Sequence, residues 1–168
     1  MVTKVLFRSL LLILTTLTTV FIFGCGGSSS TLEGPPLAGA RWGHTATLLS
    51  DGRVVIIGGQ EKPSKSLNTV EIYDSTSNTW SAGAPSSTNR GEGHTATVLS
   101  DGKILVVGAH DYASAEIYDP YNNKWSDAGT LNSPRVWASS TLLGDGRVFL
   151  YDIKSIGSFQ YRKQFARN

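Results

Sequence analysis

A single cysteine, Cys25, stands in 168 residues, so the chain can form no intrachain disulfide and any folded part must rest on apolar packing. Signatures of common enzymes are missing too. The sequence contains no GxSxG elbow, no glycine-rich phosphate loop, no HExxH and no CxxC, which sets aside the usual marks of serine hydrolases, nucleotide-binding enzymes and zinc proteases. Charge of one sign is not in excess: there are 15 Lys plus Arg against 13 Asp plus Glu, and Lys4 and Arg8 near the N-terminus account for the whole difference. With those two removed, no bulk field draws the chain to nucleic acid. Long apolar runs are scarce as well. The longest, residues 10–23, is broken by Thr15, Thr16, Thr18 and Thr19, whereas a helical membrane span needs about 20 predominantly apolar residues.

What the chain does have is repetition. Residues 43–59, GHTATLLSDGRVVIIGG, return at 93–109 as GHTATVLSDGKILVVGA. A third copy, ASSTLLGDGRVFLY at 138–151, keeps the Asp-Gly turn but lacks the leading histidine and the closing glycine pair. Between the copies, VEIYDSTSNTW (70–80) returns as AEIYDPYNNKW (115–125). The length difference between the two complete units falls wholly in residues 60–69 against 110–114. Variation confined to one stretch marks a surface loop, because paired strands do not tolerate insertion. Self-similarity at this period is the mark of an array of small supersecondary units.

Each unit reads as four short strands, so the fold class is all-β. Residues 53–57 and 103–107 are continuously apolar after their first residue and rich in β-branched side chains, as in a strand covered on both faces. Residues 70–73 and 115–118 hold one polar residue among apolar ones and belong nearer an outer edge. Asp51-Gly52 and Asp101-Gly102 predict two-residue hairpins with positive φ. The third unit supplies two strands, at 141–143 and 147–151.

A histidine-led strand, an Asp-Gly turn, an apolar strand ending in Gly58-Gly59, a Tyr-Asp and a Trp six residues after that Asp resemble the kelch repeat. The resemblance implies a partial kelch-type β-propeller of about two and a half four-stranded blades, at 38–86, 87–131 and 132–151. It implies structural roles for the repeated positions His44, His94, Gly58, Gly59, Tyr73, Trp80, Tyr118 and Trp125, with each Trp packed between blades. A position repeated in every blade is set by blade geometry, whereas catalysis needs unlike residues converging on one point. The same reasoning assigns Asp51, Asp101 and Asp145 to turns and treats Glu71 with Glu116, and Asp74 with Asp119, as equivalent scaffold pairs. Arg41 and Arg135 align, and Arg90 lies one residue out of register; ion pairing within the scaffold is the expected use. His110, in the variable loop, is too isolated to interpret. Some kelch-like propellers resemble galactose oxidase, a copper radical enzyme, and others sugar-acid epimerases. The cross-linked cysteine of the oxidases has no counterpart here if Cys25 is lipidated. The expectation is therefore no catalytic residue, no metal and no cofactor.

The N-terminus reads as an address. Two cations, an apolar run and Ile22-Phe23-Gly24-Cys25 make residues 1–24 an export signal, and the segment resembles a lipoprotein signal peptide with Cys25 as the lipidated residue. Residues 25–37, small, polar and proline-bearing, form a flexible tether. Gly26 after the cysteine resembles lipoproteins sent to the outer membrane where the host has two membranes, so the expected location is a bacterial cell envelope. Residues 152–168, with Lys154, Arg162, Lys163 and Arg167 against Asp152, read as a solvated basic tail without repeat character. Unclosed blades leave exposed apolar faces and an unpaired strand edge, which favours self-association. The function expected is a lipid-anchored binding or scaffold protein, with a protein or glycan ligand outside the cytoplasm and no nucleic acid partner. The alternatives are a fragment of a carbohydrate-active propeller enzyme, oxidase-like or epimerase-like, and a truncated product without a function of its own; fold alone does not choose among them.

Overall fold

The computed structural model describes residues 34–109, 113–151 and 159–161. The export signal, Cys25 and His110 lie outside the described residues. Within them the chain is all strand and loop: β1 (Thr45–Leu48), β2 (Val54–Ile57), β3 (Gln60–Lys62), β4 (Lys65–Ser66), β5 (Val70–Asp74), β6 (Thr79–Gly83), β7 (Thr95–Val98), β8 (Ile104–Val107), β9 (Ser114–Asp119), β10 (Lys124–Thr130), β11 (Ser139–Leu142), β12 (Val148–Tyr151) and β13 (Phe159–Tyr161). Two sheets of four strands, in the orders β1-β2-β5-β6 and β7-β8-β9-β10, are followed by a three-stranded sheet β11-β12-β13. Every pairing is antiparallel. The first strands of successive sheets, β1, β7 and β11, touch one another, so the sheets are stacked as blades converging on one edge.

Stacking is visible in how β8 divides its side chains. Ile104 and Val106 join Tyr118 in a core with Leu49, Val55, Ile57, Val70 and Ile72 of the first sheet. Leu105 and Val107 join Leu99, Ala115 and Ile117 in a core with Val148 and Leu150 of the third. Successive residues of a strand point to opposite faces, so a strand between two blades must be apolar at every position. This is why the 104–107 run shows no alternation.

Three features differ from the sequence expectation. The Asp-Gly pairs sit in three-residue loops, not two-residue hairpins. The Leu49 N–H donates to the Arg53 carbonyl at 2.8 Å, and the Gly52 N–H donates back to the Leu49 carbonyl at 3.1 Å. Gly52, Gly102 and Gly146 take positive φ while their aspartates do not, the pattern of a type I turn followed by a left-handed residue. The Asp51 carboxylate accepts the Arg53 N–H at 3.1 Å and its guanidinium at 2.8 and 3.0 Å, which ties the aspartate to the outgoing strand. Second, the variable loop is partly paired, with β3 against β4. Third, the stretch 152–168 is not devoid of repeat character. β13 pairs with β12 so that Tyr161 stands opposite Val148, as Tyr73 stands opposite Val54 and Tyr118 opposite Ile104. Degenerate flanking residues hid that strand, because Phe159 and Gln160 replace the Glu-Ile that precedes the tyrosine in the first two units.

Gly58, at φ 63°, carries the tightest backbone contact between the first two blades. A Cβ there would collide with the Arg90 carbonyl oxygen. Gly146, at φ 82°, has nothing within 4 Å of where its Cβ would lie. Gly146→Ala is expected to cost only its backbone strain, on the order of 1–3 kcal/mol. Gly58→Ala should cost distinctly more, read as a larger drop in the urea midpoint. Equal losses would show that the approach of Arg90 does not constrain the blade.

Candidate functional site

The polar residues singled out by repetition are brought together along the segments that lead into each blade. In the second blade this segment, residues 84–90, acts as a strap between sheets. On one side it bonds to the first sheet: the Arg90 N–H donates to the Leu67 carbonyl at 2.8 Å, the Ser86 N–H to the Asn68 carbonyl at 2.9 Å, and the Gly59 N–H to the Arg90 carbonyl at 2.7 Å. On the other side it grips the second sheet. The fully buried Arg90 donates to the Gly108 carbonyl at 2.9 Å, the Ser114 carbonyl at 3.0 Å and the Glu116 carboxylate at 2.6 Å. Glu116 also accepts the Ser87 N–H at 3.0 Å and the Thr88 hydroxyl at 3.1 Å. Burial would raise the Glu116 carboxyl, but the Ser87 and Arg90 bonds overcome it and hold the group below its usual range.

The first blade repeats the device. Arg41 pairs with Glu71 and donates to the Gly58 carbonyl at 3.2 Å and to Thr69 Oγ1 at 3.0 Å, and the Ala38 N–H donates to Glu71 at 2.9 Å. Arg90 is thus the counterpart of Arg41 despite its displaced register. The structure places both arginines in buried ion pairs inside the scaffold. The Arg135 carbonyl lies against Gly108 as the Arg90 carbonyl lies against Gly58.

Trp80 and Trp125 close the outer strands. Each is half-buried, tilts against its tyrosine with centroids 5.1 Å (Tyr73) and 4.9 Å (Tyr118) apart, and donates its indole N–H to a strap carbonyl. The acceptors are Pro35 and Ala84, both at 2.7 Å. The Pro35 bond also moves a boundary, since residues 34–37, read as tether, already lie on the first blade. The tyrosine hydroxyls donate to Asn78 at 2.7 Å and Asn123 at 2.8 Å. These two left-handed turn residues (φ 54° and 52°) also repeat but were missed in the sequence; their identical offset from Tyr-Asp was the available signal.

His94 is buried, with Nδ1 at 2.6 Å from the Gly91 carbonyl and Nε2 at 3.1 Å from the Ile57 carbonyl and 3.2 Å from Thr45 Oγ1. A neutral ring carries one N–H, which donates to Gly91 across the shorter distance, leaving Nε2 to accept the Thr45 hydroxyl. Burial holds His94 below its ordinary value of 6.5; the two carbonyls pull the other way, while Arg90 and His44 add to the lowering. His44 is lowered as well, by burial and then by Arg41, and its buried Nδ1 has no hydrogen-bond partner among the described residues. No three His, Cys, Asp or Glu side chains gather among the described residues so as to hold a metal ion, and His94 has both ring nitrogens engaged. These residues do not fit a copper centre.

Two exposed features remain. A cleft of about 810 Å³ runs between the second and third sheets, bordered by Leu99, Ile117, Trp125 and Leu142. The other is a row of loops just before the first strand of each blade. A Cβ on Gly43 would come within 2.6 Å of Glu92 Cβ, and one on Gly93 within 3.0 Å of the Trp137 backbone nitrogen, so residues 42–43, 92–93 and 136–137 lie side by side. Along this row Trp42 is 41 % exposed and Trp137 is 58 % exposed. Trp137 adopts φ 57°, a left-handed conformation that costs a bulky residue energy. Sequence reading passed over these tryptophans because neither recurs from blade to blade.

Four-stranded antiparallel sheets stacked face to face around a common edge define blades of a β-propeller. The kelch-motif profile matches residues 41–87, the span of the first blade. No curated protein matches the chain. Among solved structures it is similar to a fungal alcohol oxidase, described as showing catalytic diversity among the AA5 family and in complex with copper. The TM-score is 0.57 at 19 % identity, over 66 % of this chain and 27 % of that one. At that identity the likeness is one of fold, and the alignment spans about a quarter of the oxidase. The first blade thus carries a kelch motif, and the stacked sheets have the fold of part of a β-propeller.

The depressed value of His94 sets a pH dependence. The unfolded chain takes the proton first, so stability is complete above about pH 6.5 and falls as pH drops below it. Glu116, also depressed, adds its loss only below the ordinary carboxylate range. The urea midpoint is expected to fall between pH 7 and pH 5, and His94→Gln should flatten most of that slope. An unchanged slope in the variant would assign the titration elsewhere.

Proposed function

We propose that this chain is an exported, lipid-anchored kelch-repeat binding protein of a bacterial cell envelope. Cys25 carries the lipid, and the exposed Trp42 and Trp137, with the half-buried Glu92 between their loops, capture a protein or glycan outside the cytoplasm. The observation that carries the reading is the contrast in how polar and aromatic groups are used. Arg41, Glu71, Arg90, Glu116 and His94 are spent on blade geometry, whereas Trp42 and Trp137 stand open on the loops to either side of residues 92–93. Tryptophan left exposed next to a polar group is the usual anchor of a binding surface. Loops carried by a rigid scaffold are where function is commonly placed. In a host with two membranes the anchor would be the outer one, reached through the residues between Cys25 and the first strap.

The likeness to a copper-bound oxidase favours a second reading, in which these blades belong to an enzyme whose site lies elsewhere. Tightly held copper or oxidase activity in a longer product that carries these blades, retained when His44 or His94 is changed, would support it.

The binding reading is tested on glycan and envelope-protein arrays. Trp42→Ala and Trp137→Ala should each weaken the retained interaction about tenfold or more, a loss above roughly 1.4 kcal/mol, with the melting temperature unchanged. Undiminished binding in both variants would remove this face from the function. The anchor is tested separately: Cys25→Ser should abolish incorporation of a labelled fatty acid and release the chain from membranes. Equal labelling of wild type and variant would count against lipidation.

A further inference from the structure

Each blade has a leading face, turned to the blade before it, and a trailing face, turned to the blade after it. The repeat defines which residues belong to each. Trailing faces carry Leu49, Val55 and Ile57 in the first blade and Leu99, Leu105 and Val107 in the second, all buried under the following sheet. At the same offsets from Asp145 the third blade carries Leu143, Phe149 and Tyr151. Here the burial is lost: Leu143 and Phe149 are half-buried and Tyr151 is 51 % exposed.

The leading faces show the reciprocal pattern. Ile104, Val106 and Tyr118 of the second blade are each 0 % exposed beneath the first sheet. Their counterparts in the first blade are Val54, Ile56 and Tyr73; Ile56 is still buried, but Val54 and Tyr73 on either side of it are only half-buried. The apolar face left open at one side of the stack is therefore the kind of surface that covers the face left open at the other. His94 adds a polar marker to this interface. Its Nε2 accepts the hydroxyl of Thr45 on the preceding blade. Its counterpart on the open leading face is His44, and the counterpart of Thr45 in the third blade is Ser139.

We propose that two copies of this chain associate head to tail, the leading face of the first blade of one seating on the trailing face of the third blade of the other. The contact continues the blade-to-blade interface already present twice within the chain. It is heterologous, so it must either close or grow. Two copies bring about six blades, within the range of about four to eight over which propellers close, and the assembly expected is a closed dimer with both faces covered. The proposal does not depend on what Trp42 and Trp137 bind.

The test uses the full chain in mild detergent and two variants, Tyr151→Asp on the trailing face and Val54→Asp on the leading face, with mass measured by light scattering. Wild type is expected to be dimeric and each variant monomeric. A mixture of the two should recover a one-to-one dimer, because each variant still carries the face that the other has lost. A contact between like faces would not behave this way: one variant would stay dimeric and mixing would restore nothing, and this overturns the proposal. A monomeric wild type at tens of micromolar, or a polydisperse series in place of a dimer, overturns it as well. If Val54→Asp does not fold, Tyr151→Asp decides alone, since its residue is half exposed; a dimeric Tyr151→Asp refutes the arrangement.

Discussion

The fold depends on a buried arginine that does several jobs at once. Arg90 holds the carbonyls of Gly108 and Ser114 and the carboxylate of Glu116 with its side chain, while its backbone is bonded to Leu67 and Gly59 of the neighbouring sheet. A guanidinium suits this because its donors are fixed in a planar fork and it cannot lose its proton. Buried ion pairs seldom add much net stability, since desolvation offsets attraction, yet removing one partner leaves a charge stranded at a cost of about 3–5 kcal/mol. The pair therefore acts as a register device: one spacing between blades satisfies all of its bonds.

Much of the repeat pattern follows from that constraint. A glutamate sits in a strand that is otherwise apolar, at 71 and at 116, because the strap arginine needs a carboxylate at that register. Gly58 and Gly108 lack side chains because the carbonyls of Arg90 and Arg135 come too close to admit them. The tryptophans lie where their indole N–H groups meet the start of the strap. Departures from the pattern are informative for the same reason. In the third sheet Phe159 stands opposite Leu150, the register that Glu116 holds opposite Val106, so the carboxylate of the device is replaced there by an apolar residue.

The recurring arginines, glutamates and His94 are engaged in holding blades together, whereas Trp42 and Trp137, which do not recur in register, are left facing outward. Trp42 is replaced by Glu92 and Val136 at the same place in the next two blades, and Trp137 stands where the first two carry Gly43 and Gly93. This is the expected economy of a repeat scaffold, where geometry demands sameness within the stack and leaves the loops free to differ. The fold itself is compatible with many activities, so the case for binding rests on these loops and not on the propeller.

By itself the sequence determined the four strands of each complete unit and their order, and its resemblance to kelch repeats implied the stacking. The apolar runs at 54–57 and 104–107 read as strands, the second of them covered on both faces, and the repeated Tyr-Asp and Trp fix the spacing of each unit. It also marked the arginines and glutamates as scaffold, because they recur. Only the tertiary structure decided which arginine serves which carboxylate, since Arg90 is a residue out of register and the match is made through space. It decided that the Asp-Gly loops have three residues, because aspartate bonding to the outgoing strand competes with the propensity of the dipeptide. It revealed β13, whose residues resemble the earlier strands at Tyr161 alone and whose place is given by pairing with β12. Exposure of Trp42, Trp137 and Tyr151 was beyond reach of the sequence as well. Whether an apolar side chain is buried depends on what stands across from it, and that is a property of neighbouring blades, not of the local pattern.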